Sequence, residues 1–172
     1  TAWGLEEKRD RQGNAEALSL PAGLVIPRFH EATLSRLLIR PSHYSDSRKD
    51  ILVEGSDATP LFLGASVMEE DTPCVRVADD LEAMLVEQEA GDACCVVSLK
   101  AASDKPGKDA AKIIESAKVF LIALCGDGDK TEAEWRDWSK AYGNAQKLIL
   151  PGYENILEAG KSGFDIRGWI MK

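Results

Sequence analysis

The sequence predicts an α/β domain from about residue 72 to the end of the chain, preceded by a small β-rich region within residues 1–71. After residue 72, continuous apolar runs alternate with segments whose apolar residues recur at helical spacing. Strand, helix, strand, helix in that order builds a parallel sheet flanked by helices. Before residue 72 the apolar runs are short, closely spaced and bounded by Pro, Gly, Ser or Asp, the pattern of a small antiparallel sheet. A chain of 172 residues can bury a core of this kind without disulfides or a structural metal.

Residues 1–20 are polar, with Glu6, Glu7, Lys8, Arg9, Asp10 and Arg11 crowded together, and read as an exposed helix or an extended arm. The turn signal Pro21-Ala22-Gly23 precedes four apolar runs: Leu24-Val25-Ile26, Leu37-Leu38-Ile39, Ile51-Leu52-Val53 and Leu61-Phe62-Leu63. All four are expected in the antiparallel sheet. Residues 75–77 then read as a strand and 79–89 as a helix, with Leu81, Met84 and Leu85 at helical spacing and Asp79 or Asp80 as its cap. Gly91 stops that helix, and residues 93–99 form the kind of run that is buried on both faces in a parallel sheet. A helix over 107–116, a strand over 119–124 and a helix over 131–142 follow. The stripe Trp135, Trp138 and Tyr142 on that last helix reads as packing. Residues 147–150 supply the final strand, followed by a helix over 153–160 and a terminal segment at 165–171. Parallel strands joined this way take right-handed crossovers, and ligands bind beyond the strands' carboxyl ends. That rule singles out residues 78–80, 99–105, 125–130 and 151–155.

Composition narrows the function classes. With 44% hydrophobic and 29% charged residues the chain is ordinary for a globular protein, and no apolar run approaches the roughly 20 residues that span a bilayer. No basic-then-apolar leader is present and the chain begins at Thr1, so the expectation is a piece of something longer. Cys94 and Cys95 are adjacent, Cys74 and Cys125 stand alone, and no Cys-x-x-Cys pair exists for zinc. They are expected to be reduced thiols serving as small core residues in a cytoplasmic protein. Net charge is −8; residues 1–60 hold nine acids and eight bases, leaving 20 acids against 13 bases in the remainder. Such a chain gains little from counterion release on nucleic acid unless it carries a local basic patch.

Most short motifs fail. Gly160-Lys161-Ser162 ends like a phosphate-binding loop, but Asn155 stands where the first glycine belongs. Asp127-Gly128-Asp129 opens like a calcium loop, yet Thr131 occupies position five and no helix precedes it. Those carboxylates are read as caps of the helix at residue 131, with water-mediated Mg²⁺ binding as the rival reading. His30 and His43 lie in the N-terminal part and all four cysteines in the later part, so the spacing suggests no Ser-His-Asp or Cys-His set.

The succession Val77-Ala78-Asp79-Asp80-Leu81-Glu82-Ala83-Met84-Leu85, Val97-Ser98-Leu99-Lys100, residues 121–130, residues 151–159 and Phe164-Asp165-Ile166-Arg167-Gly168-Trp169-Ile170 resembles the Toprim domain of bacterial-type DNA primases. The likeness is to the primase-like proteins of phages and mobile elements. Leu20-Pro21-Ala22-Gly23-Leu24-Val25-Ile26-Pro27-Arg28-Phe29 and residues 36–40 resemble their pre-Toprim region. The resemblance implies a Toprim-like parallel sheet over residues 72–172, a pre-Toprim-like region over 1–71, and Mg²⁺-dependent phosphoryl transfer. In that family a Glu ending the first Toprim strand and an Asp-x-Asp ending the third hold the metal. Here the Glu position falls on Ala78, the Asp pair on Cys125 and Asp127, and the Lys-Asp after the last strand becomes Glu154-Asn155.

A methyl group cannot bind a hard cation, and a thiolate prefers softer metals. The expectation is therefore a degenerate Toprim-like domain without polymerase activity. An alternative register, Val53-Glu54-Gly55-Ser56-Asp57-Ala58, nearly spells the family's Val-Glu-Gly-x-x-Asp-Ala, but it is one residue short and Pro60 follows where a helix is needed. Three readings result. In the first, the domain is kept for DNA binding or for architecture beside other modules of a longer primase-like protein or other replication proteins. Its DNA contacts are then Arg28, Arg36, Arg40, Arg48, Lys49, Lys100 and Lys105. In the second, an active primase or nuclease fragment holds Mg²⁺ at a rearranged site of Asp79, Asp80, Asp127 and Asp129, with Glu82 nearby. The third is a protein-interaction module without nucleic acid, which the acidity favours.

Overall fold

The computed structural model describes residues 9, 11–14, 20, 22–30, 32–42, 50–64, 72–126 and 128–172. Most of the arm expected over residues 1–20 lies outside them. The chain divides into two compact units, Thr1–Ala58 and Thr59–Lys172.

In the first unit, β1 (Gly23–His30), β2 (Thr33–Pro41) and β3 (Ile51–Leu52) form an antiparallel sheet in that order. His30 pairs with Thr33, so two residues make the hairpin connection, and Ala32 holds a φ of 64° there. Two-residue hairpins require such left-handed backbone, which glycine adopts freely and alanine does not. A register shift between Arg28 and Phe29 marks a bulge. Ile26, Leu38, Ile39 and Val53 are buried, whereas Leu24, Val25 and Phe29 are exposed. Gly55, with a φ of 85°, sits in a turn closed by Ser56 N–H donating to the Val53 carbonyl. No helix follows Glu54, which removes the alternative register.

The second unit is a three-layer α/β/α arrangement. Its strands are β4 (Phe62–Leu63), β5 (Cys74–Val77), β6 (Cys95–Ser98), β7 (Phe120–Cys125) and β8 (Ala145–Leu150). They lie in the order β4-β6-β5-β7-β8. β5 to β8 are mutually parallel, and β4 runs antiparallel beside β6. The run Leu61-Phe62-Leu63, expected in the first sheet, therefore belongs to this one. The second unit accordingly starts at Thr59, ahead of the expected boundary at residue 72. An antiparallel edge strand on a parallel sheet is common, and two residues of pairing leave too short a signal to assign from sequence.

Alternation along the strands sorts the core into two layers. Val75, Val77, Val96 and Ala123 pack with α1 (Asp80–Ala90), α4 (Ile156–Lys161) and α5 (Ile166–Ile170). Cys74, Cys95, Val97, Phe120, Ile122 and Leu124 pack on the other face with α2 (Lys108–Ser116) and α3 (Asp129–Ala141). The aromatic stripe of α3 is packing: Phe120 meets Tyr142 and Trp138 edge-on at centroid distances of 5.0 and 6.3 Å, and Trp138 stacks on Tyr142. The buried face of α1 is Ala83, Val86 and Ala90, while Leu81, Met84 and Leu85 flank it half-buried. Small residues on that face let the helix approach the sheet closely. No helix among the described residues is long and apolar enough to cross a membrane.

Candidate site at the carboxyl edge of the parallel sheet

The chain leaves β5 for β6 on one side and then crosses back to β7 on the other. The strand order therefore reverses at β5, and the crevice beyond the carboxyl ends of β5 and β7 is the place where this architecture binds ligands.

At the end of β5 the acids are bound into the scaffold. Asp79 caps α1, its Oδ1 accepting from Leu81 and Glu82 N–H at 2.9 and 3.0 Å. Asp80 Oδ1 accepts the Ser98 hydroxyl at 2.5 Å, and Ser98 Oγ accepts Leu61 N–H, which ties α1 to β6 and to the chain entering β4. Glu82 is 4% exposed. Its Oε2 accepts from Ala78 N–H at 3.0 Å and its Oε1 from Ile156 N–H at 3.2 Å, so one carboxylate joins the end of β5 to the start of α4. Burial, then the Asp79 charge, pushes Glu82 above the ordinary carboxylate range, and its backbone hydrogen bonds oppose this. Ala78 itself is exposed.

At the end of β7, Cys125 is half-buried, and its thiol is pushed up to about 11 by burial and then by Glu82 and Glu134. Gly126 and Gly128 hold φ values of 73° and 97°, the left-handed backbone that carries the chain from strand to helix. Asp127 lies outside the described residues. Asp129 is exposed in the first turn of α3, whose N-cap is Gly128 without a side-chain hydrogen bond. The helix thus starts two residues before the expected position, and Asp129 sits inside it instead of capping it. Thr131 donates from Oγ1 to the Cys125 carbonyl.

Beyond β8 the turn at Pro151 and Gly152 delays α4 to Ile156, three residues later than the spacing suggests. Asn155 caps that helix by accepting from Glu158 N–H, and Glu158 Oε2 accepts from Glu154 N–H. An open cleft of about 800 Å³ runs here, lined among others by Cys125, Gly126, Tyr153, Glu154 and Glu158.

The sequence offered no role for Arg76, which stands at the centre of the edge. It is 2% exposed on β5. Its guanidinium donates to the carbonyls of Leu99 (2.6 Å), Lys100 (2.9 Å) and Ala123 (3.3 Å) and to Glu134 Oε1 (2.8 Å). It also lies 4.5 Å from the Trp138 ring centroid. Burial lowers its proton affinity and Glu134 restores part of it. A lone arginine inside the strand Cys74-Val75-Arg76-Val77 was the available signal, because a buried guanidinium needs several acceptors at once.

Among the described residues, a divalent cation of the kind the resemblance implies finds no fit. Ala78 has no donor atom, Cys125 is held protonated, and the Asn155 side chain is committed to its helix cap. Among the described residues, no three His, Cys, Asp or Glu side chains form a group able to hold a metal. The other thiols, Cys74, Cys94 and Cys95, are buried and raised, Cys94 to about 12 and Cys95 to about 11.

The basic residues singled out by sequence divide into two sets. In the first unit, Arg28 pairs with Asp57, and Arg40 makes two parallel bonds to Asp50 at 2.9 and 2.8 Å. Arg36 is half-buried opposite Arg28 in the hairpin. Arg48 and Lys49 lie outside the described residues. In the second unit, Lys100 and Lys105 are exposed where the chain leaves β6.

No family model and no curated protein sequence matches the chain. Its architecture, a parallel-containing sheet flanked by helices with a separate antiparallel sheet, is that of bacterial primase catalytic cores. It is similar to the RNA polymerase domain of Mycobacterium tuberculosis primase DnaG, solved with a double-stranded DNA oligomer bearing a six-nucleotide overhang. The TM-score is 0.64 at 13% identity, covering 99% of this chain and 58% of that one. The Escherichia coli primase catalytic core gives 0.57 at 12% identity, covering 90% of this chain and 52% of that one. A DNA primase domain from Pseudomonas aeruginosa gives 0.50 at 12% identity, over 87% and 56% of the two chains. The chain spans a little over half the length of these structures, and at such identities the likeness is one of fold.

Proposed function

We propose that this chain is a module of a DNA primase-related replication protein, a Toprim-like domain with its pre-Toprim-like region, in which the metal site is lost and the framework is kept for nucleic-acid binding or architecture. One observation carries the reading: of the positions that hold metal in the resembled family, two carry Ala78 and Cys125 and only Asp127 keeps its carboxylate, while the Lys-Asp after the last strand is Glu154-Asn155. The adjacent acids Asp79, Asp80 and Glu82 hold the scaffold together. Magnesium tolerates little departure from octahedral oxygen geometry, so neighbours committed elsewhere do not substitute. The departures suit a diverged branch from a phage or mobile element. Two of the similar structures are DNA complexes, which supports DNA as a partner. The partial span supports further modules of a longer primase-like protein, and the buried thiols suit the cytoplasm.

The test is calorimetric titration of Mg²⁺ and Mn²⁺, repeated with Asp127→Asn and Asp129→Asn, beside a primer-synthesis assay on a single-stranded template. The expected result is no saturable binding at millimolar metal and no primer. Specific binding lost in both variants, together with primer synthesis, would replace this reading with the active-enzyme one centred on Asp79, Asp80, Asp127 and Asp129. The net charge of −8 favours a second reading, a protein-interaction module, and complete absence of DNA binding would select it.

A further inference from the structure

Resting on the nucleic-acid arm of that reading, we propose that the β6–α2 connection and the exposed side of α2 form its contact surface for a nucleic-acid phosphate backbone, carried by Lys100, Lys105, Lys108 and Lys112. All four are exposed. Residues 100–118 hold five lysines, with Lys118 the fifth, against Asp104, Asp109 and Glu115, in a chain of net charge −8. The excess of positive charge is therefore local.

Two arginines of the first unit are each paired with a carboxylate, Arg28 with Asp57 and Arg40 with Asp50. A cation already paired with a carboxylate releases little from the counterion atmosphere when it meets phosphate, because it must first give up its partner. The four lysines carry no such pair among the ion pairs of the described residues. The acid nearest to them in the loop is turned inward: Asp104 Oδ2 accepts from Lys100 and Ala101 N–H at 2.8 and 2.9 Å, closing the turn from which Lys100 and Lys105 project. On α2, Lys108 and Lys112 are four residues apart and share a face, while Ala110, Ile114 and Ala117 are buried toward the sheet. Their separation along the axis is about 6 Å. That spans roughly two steps of a stacked strand at about 3.4 Å each. Nothing in this arrangement reads bases, so the contact is independent of sequence.

The experiment is fluorescence anisotropy of the full chain with a labelled single-stranded oligonucleotide and with its duplex, over about 50–200 mM salt. Four contacts to a single strand predict a slope of about −2.8 in log K against log salt, hence about 50-fold weaker binding across that range. The variant with all four lysines changed to Gln should lose most of that slope while keeping the wild-type melting curve. Lys147→Gln with Arg167→Gln, cations paired with Glu132 and Asp92, should leave it unchanged. A loss of about 3.6 on duplex instead would identify duplex as the ligand. An unaltered slope in the lysine variant overturns the surface and leaves the primase-related reading standing. No binding to either oligonucleotide overturns the surface and the nucleic-acid arm together, with the emptied metal site still decided by calorimetry.

Discussion

Replacing Arg76 by Met removes the donor that joins the segment after β6 to β7 and α3. The guanidinium holds the Leu99 and Lys100 carbonyls after β6, the Ala123 carbonyl in β7 and Glu134 on α3. Hydrogen bonds to a charged group contribute about 1.5–3 kcal/mol each. Methionine fills most of the volume and can recover some stability as an apolar neighbour of Trp138. Breaking such a buried network from one side costs about 3–5 kcal/mol. A domain of this size has about 5–15 kcal/mol in total, so Arg76→Met should stand near the limit of folding. Glu134 is 41% exposed and regains water when unpaired, so Glu134→Gln should cost at most about 1 kcal/mol. Urea unfolding followed by tryptophan fluorescence measures both. If Arg76→Met costs no more than Glu134→Gln, the carbonyl network does not hold the edge, and the role assigned to Arg76 is refuted.

Other outcomes follow from single residues. Because the folded state raises Glu82 above its ordinary value of 4.5, its protonated form is favoured by folding, and that stabilisation is lost as pH rises from about 4.5 through the raised value. The stability of the native chain relative to Glu82→Gln should fall over that window in urea titrations; a gap that widens with pH would mean the carboxylate is favoured instead. Ala32→Gly relieves left-handed backbone in the hairpin and should raise stability by about 0.5–1 kcal/mol after the added flexibility of the unfolded chain is subtracted. With its thiol raised from 9.0 to about 11, Cys125 should react with iodoacetamide at pH 8 about 100-fold more slowly than an unperturbed thiol. Ordinary reactivity in the folded chain would show that the end of β7 is open.

The parts legible in the sequence were those encoded locally. The runs leading to Ser98 and Cys125 are apolar on both faces, and the cap of α1 was legible to within Asp79 or Asp80. The aromatic stripe of α3 announces itself by spacing. What was not legible depends on partners far along the chain. Phe62 and Leu63 look the same whether they join one sheet or the other, and only their pairing with Val97 and Val96 decides it. Glu82 was a free acid near a candidate metal site until its second oxygen met Ile156, 74 residues later. Arg76 was invisible as a hub because its acceptors are backbone carbonyls, which every residue carries and no sequence distinguishes.

The two matching helix starts at the edge have a consequence for anions. α1 and α4 each begin with a cap residue followed three positions later by a Glu that reaches back past it: Asp79 with Glu82, Asn155 with Glu158. A helix start is otherwise a ready receptor for phosphate, offering free N–H groups and the positive end of the peptide dipoles. Here side chains of the chain itself already occupy N–H donors at both starts, and at the start of α4 an arriving phosphate would face the exposed carboxylate of Glu158. These two helix starts are thus poor receptors for a phosphate, unlike the exposed lysines where the chain leaves β6.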